Sequence, residues 1–104
     1  MSFYQEPTFY EKTILSDLQG AWGVLRDEVI KESTMKDYSR LLPHINEAMS
    51  WENVSNLHQM KNTFVLIQSI AQQITVSDEI MELIEDVRDV LYEILDEIEH
   101  GKML

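Results

Sequence analysis

Four stretches of apolar residues recurring every three or four positions predict an all-α fold, an antiparallel four-helix bundle or a closely related small bundle. Two further observations agree. No segment sustains the alternation of a β-strand, and three glycines with two prolines leave little material for the turns of a sheet protein. At 104 residues the chain forms one domain, 1–104, long enough to bury most of its unfolded surface without metals or disulfides. It has no cysteine, which removes disulfide and thiolate chemistry.

Residues 1–8 form an aromatic arm ahead of the first helix. That helix is expected over about 9–32, after Pro7-Thr8, with Ile14, Leu15, Leu18, Trp22, Leu25 and Val29 on one stripe. Gly20 and Gly23 flank Trp22 and each cost about 1 kcal/mol of helix propensity, so close packing is the expected return. A second helix, about 34–49, opens on the capping-box pattern Thr34-Met-Lys-Asp37 and places Met35, Tyr38, Leu42, Ile45 and Met49 inward. Pro43 lies inside it and predicts a kink or break near Leu42. Ser50 is the expected cap of a third helix, about 51–74, which buries Val54, Leu57, Phe64, Ile67, Ala71 and Ile74. The link Thr75-Val76-Ser77 is short and returns the chain antiparallel.

The fourth helix, about 78–100, has a seam close to a perfect heptad: Ile80, Ile84, Val87, Leu91, Ile94 and Ile98. Leu83 and Val90 widen one flank, Met81 and Leu95 the other. A face this broad suits a bundle core better than a two-stranded coiled coil. His100 and Gly101 end the helix, His100 as a favourable cation near the C-terminus.

The same helix concentrates the charge. Between Asp78 and Glu99 stand ten carboxylates and one base, Arg88, in a chain of net charge −11. Five like-charged pairs four residues apart (78/82, 82/86, 85/89, 89/93, 93/97) together cost on the order of 1–2.5 kcal/mol. Glu82, Asp86, Asp89, Glu93 and Asp96 make an outward stripe whose members fall roughly 5–6 Å apart along the axis, a spacing loosely comparable with successive phosphates on a nucleic-acid strand. The acids continue into the last turn, where the helix dipole disfavours anions by about 0.3–1 kcal/mol each.

Composition narrows the partners. A hydrophobic share of 44% with clear periodicity separates the chain from a disordered acidic tail. Its charge disfavours direct binding of nucleic acid or an anionic membrane and favours a basic protein surface. Met-Ser-Phe-Tyr-Gln-Glu has neither the basic region nor the apolar run of a signal peptide, and no stretch is long enough to span a membrane. The expected compartment is the cytoplasm.

Candidate catalytic and metal sites are weak. Glu82-x-x-Glu85 and Glu93-x-x-Asp96 resemble the paired acidic motifs of the all-α nucleotide pyrophosphohydrolases, whose two motifs sit on separate helices and converge on magnesium. Here eleven residues of one helix separate Glu82 from Glu93, about 16 Å, too far to share an ion. Glu97-x-x-His100 and His44-x-x-Glu47 have spacings used in ferritin-like bundles, but Glu97 flanks the seam and further inward carboxylates lack an obvious source. His58 reads as a surface histidine, and Trp22 and Trp51 as core or near-core. The expectation is a non-enzyme without cofactor or metal.

The chain is therefore expected to act by binding, as an inhibitor or antagonist that covers the basic surface of a nucleic-acid-handling protein. In charge and size it resembles phage-encoded anti-defence and DNA-mimic proteins. The expected contacts are Glu82, Asp86, Asp89, Glu93 and Asp96, with Phe3 and Tyr4 of the arm either packing on the bundle or reaching a partner. An alternative is an assembly or chaperone-type adaptor that self-associates or sheathes a partner helix. The arm and the wide face of the fourth helix leave room for a homodimer.

Overall fold

The structure, a computed structural model, describes residues 9–51 and 56–100, with side chains from Ile14 onward in the first helix. Four helices follow in order: α1 Phe9–Glu32, α2 Leu42–Ser50, α3 Leu57–Ile74 and α4 Asp78–Glu99, with one 3-10 turn, Ser39–Leu41, leading into α2. There are no strands among the described residues. α1 packs along α4 and α2 along α3, both antiparallel, and α1·α2 and α3·α4 contacts close the ring. This is a small four-helix bundle.

The core runs through the middle of the ring. Trp22, Phe64, Leu91 and Ile45 are fully buried, one from each helix. The Trp22 indole meets the Phe64 ring edge-on at 6.1 Å and donates its N–H to the Met60 sulfur at 3.3 Å. Phe64 in turn meets Tyr92 at 6.2 Å. The Trp22–Phe64 pair fills the diagonal between α1 and α3, where the backbones do not approach, and such a pair adds about 0.5–1.5 kcal/mol beyond its area.

On α1, Ile14, Leu18, Trp22, Leu25 and Val29 are buried as their spacing predicts, and Leu15 is half-buried. The two glycines do not serve close packing: a Cβ placed on Gly20 or Gly23 meets nothing within 4 Å. Nothing in the structure explains them.

The second helix begins eight residues later than its capping box suggests. Thr34 instead donates its hydroxyl back to the Lys31 carbonyl at 3.0 Å, and Asp37 accepts from both the Ser39 hydroxyl and its backbone N–H, forming a turn. Met35, expected in the core, is 86% exposed. The cause is Pro43: with no N–H and a ring that clashes with the preceding turn, it is accommodated only in the first turn of a helix, and α2 starts there.

α3 likewise starts later than expected. Ser50 is the last residue of α2, donating its hydroxyl to the Glu47 carbonyl, and the Trp51 N–H closes α2 on Ala48. Residues 52–55, including Val54, lie outside the described residues, as do the arm residues Phe3 and Tyr4. Met60 and Ile70 join the buried set on α3, while Ile74 is half-buried.

Between α3 and α4, Thr75 adopts a left-handed conformation (φ 54°) and the next N–H, of Val76, reaches back to Ala71 at 3.2 Å. Val76 buries its side chain at this corner. Ser77 then caps α4, its hydroxyl accepting from the Ile80 N–H at 3.3 Å. Ile80, Ile84, Val87, Leu91 and Ile94 are buried, with Met81, Leu83, Val90, Leu95 and Ile98 packed against them. The wide apolar face of α4 is thus consumed within the chain, which removes it as a ground for a homodimer.

Among the described residues, two buried polar atoms, the Tyr38 hydroxyl and the Trp51 indole N–H, have no hydrogen-bond partner.

Candidate functional site

The α4 seam faces the core, so the residues opposite it face outward. Glu82, Asp86, Asp89, Glu93 and Asp96 are all exposed and form one row along α4. Their basic neighbours are few. Arg88 pairs with Asp89 at 3.1 Å, so this member of the row does have a cation, supplied by the adjacent residue and not from one turn away. At the C-terminal end, His100 bonds the Asp96 carbonyl through Nδ1 at 2.8 Å and lies 3.5 Å from its carboxylate. Glu82, Asp86 and Glu93 have no ion-pair partner among the described residues.

The first turn of α4 favours its acids: Asp78 and Glu79 sit at the positive end of the helix dipole. The last turn does the reverse. Asp96, Glu97 and Glu99 stand at the negative end, with no Lys or Arg in that turn.

The acidic surface is not confined to α4. Glu28 and Glu32, one turn apart on α1, bring their carboxylates within 4.8 Å of each other and of Glu79. The Ser77 hydroxyl hydrogen-bonds Glu32 while capping α4. A hydrogen bond with Glu32 and burial raise Glu28 above its ordinary value. The same bond, with that from Ser77, lowers Glu32. The two carboxyls are therefore coupled, and Glu28 holds its proton more readily than Glu32.

These three are the one grouping of three or more metal-capable side chains among the described residues. An all-oxygen set suits a hard cation such as calcium or magnesium, which takes six or more ligands, of which three are present. The histidine motifs do not converge: His44 lies on α2 and His100 beyond α4, helices on opposite corners of the ring. Glu82-x-x-Glu85 and Glu93-x-x-Asp96 belong to one continuous helix. His58 is exposed.

The row on α4 was visible in the sequence because it is a property of one helix. The Glu28–Glu32–Glu79 grouping was not, since it needs the antiparallel register of α1 against α4. The only local sign is the i,i+4 pair on α1. No described helix is long and apolar enough to cross a membrane. Comparison with protein-family models, with curated proteins and with solved structures finds no match to this chain.

Proposed function

We propose that the protein works by binding, as an acidic antagonist in the cytoplasm that covers the basic, nucleic-acid-binding surface of a partner protein. The observation that carries this reading is the straight row of five exposed carboxylates on α4, three of them without a basic partner among the described residues. Glu28, Glu32 and Glu79 add charge beside it. Rigid spacing on a helix presents anions without the ordering cost a flexible tail would carry, as in the phage-encoded anti-defence and DNA-mimic proteins that this chain resembles in charge and size.

The test is capture from a host lysate at low and at moderate salt. Steered binding to a basic surface predicts capture of nucleic-acid-handling proteins at low salt, with loss across the range in which surface charges are screened. Recovery of the same partners at high salt favours the adaptor reading, to which the exposed Val65 and Leu66 on α3 lend support.

A further inference from the structure

The charge of this protein is divided unevenly among its helices, and the exception is α3. Between residues 53 and 77 there is no carboxylate, although the remaining chain carries all 19. The outward row on α3, His58, Asn62, Val65, Ser69 and Gln72, has the same four-and-three spacing as the acidic row on α4, and every member is exposed. One row is all anion. The other holds amides, a hydroxyl, an imidazole and an apolar side chain, with Leu66 beside it. Val65 and Leu66 are 49% and 44% exposed, adjacent, and at the midpoint of α3.

We infer that the outer face of α3 is where a second copy of this chain docks, helix against helix about a two-fold axis near Val65 and Leu66. Three features select that occupant. Two copies of a chain of charge −11 repel wherever carboxylates meet, and this face lets them approach with none opposed. A two-fold interface must be self-complementary, and an apolar pair at the middle of a helix meets its own copy when the helices run antiparallel. In that arrangement His58 lies opposite Gln73 and Asn62 opposite Ser69, and the dipole ends of the two helices oppose favourably.

An 18-residue helix is about 27 Å long, so α3 alone buries less than the roughly 1,200 Å² typical of stable complexes. The dimer is therefore weak and concentration-dependent. It leaves α4 free on each copy, so the acidic rows of both remain available, and it does not depend on the antagonist reading.

The test uses the full chain in sedimentation equilibrium, from micromolar to millimolar concentration, at low and high salt. The expected result is a monomer–dimer equilibrium that tightens with salt, as repulsion between the copies is screened, and is abolished by Val65→Glu with Leu66→Glu. A second measurement does not rely on those variants. The natural chain has no cysteine, so Leu66→Cys should form an intermolecular disulfide at least ten times faster than the somewhat more exposed control Val24→Cys on α1. A monomer up to millimolar concentration, a dimer indifferent to the α3 charges, or equal cross-linking of the two cysteine variants would each overturn the inference; a monomeric pure chain is also what a different protein seated on α3 predicts.

Discussion

Replacing Gly20 and Gly23 by alanine should make the protein markedly more stable. Both lie in the interior of α1, and a Cβ at either meets nothing within 4 Å, so the new methyl groups displace no neighbour. Glycine in a helix interior is about 0.8–1.0 kcal/mol less favourable than alanine, chiefly because it loses more backbone freedom on folding. The two methyl groups are i,i+3 neighbours on α1 that share no partner on another helix, so the gains sum to at most about 1.6–2 kcal/mol. In a domain of this size, 1 kcal/mol moves the melting temperature by about 4–8 °C, and the double variant should melt higher by as much as about 6–16 °C. Thermal and urea unfolding followed by helical circular dichroism would measure it, with the urea slope unchanged. A loss of stability in either single variant would refute the reasoning, since it would require a packing partner that the structure does not place there.

Other perturbations probe other parts. Leu91→Asp or Ile84→Asp puts an unpaired charge at a fully buried position of the α4 seam and should unfold the protein, lost helical signal being the readout; unchanged stability would contradict the register. Tyr38→Phe removes a buried hydroxyl that has no partner among the described residues while keeping the ring, so stability should hold or rise by up to about 1 kcal/mol, and a clear loss would reveal a bond to the hydroxyl. The Glu28–Glu32 pair gives a pH signature. Glu28, raised by its bond to Glu32, takes up a proton in the folded state before the unfolded one, so stability rises as pH falls through its raised folded value. Glu32, lowered, contributes stability that is lost only as pH falls further, through its folded value. Glu28→Gln should flatten that rise in urea titrations, and superimposable pH curves for variant and parent would exclude the coupling of the two carboxyls.

α1 and α4 were legible to within a residue at their ends, because long uninterrupted periodicity and clear stop signals coincide there. The α4 seam and the acidic row follow from the same period read on opposite faces. The start of α2 was misread because Thr34 to Asp37 satisfies a local capping pattern while Pro43, nine residues on, decides where a helix is able to begin. Local hydrogen bonds won: Asp37 forms a turn with Ser39, and Met35 is left in solvent. The start of α3 was placed too early for a related reason, since Trp51 ends α2 and does not open the next helix. Arg88, the one base among the α4 carboxylates, pairs with the adjacent Asp89, a contact between sequence neighbours that periodicity alone does not anticipate. What depends on register between helices, the Glu28–Glu32–Glu79 contact above all, has no signature along the chain.

The acidic row is tested most directly by neutralising its three members that lack a cation among the described residues, with Glu82→Gln, Asp86→Asn and Glu93→Gln combined. Four of the five like-charged pairs, 78/82, 82/86, 89/93 and 93/97, disappear, so the fold should gain about 0.8–2 kcal/mol. Binding of a captured basic partner should nevertheless weaken steeply, through a slower association rate and a shallower dependence on salt. A triple variant that is stabilised and still binds the partner as tightly and as fast as the parent at low salt would contradict the account, and the row would then be only a solvated face.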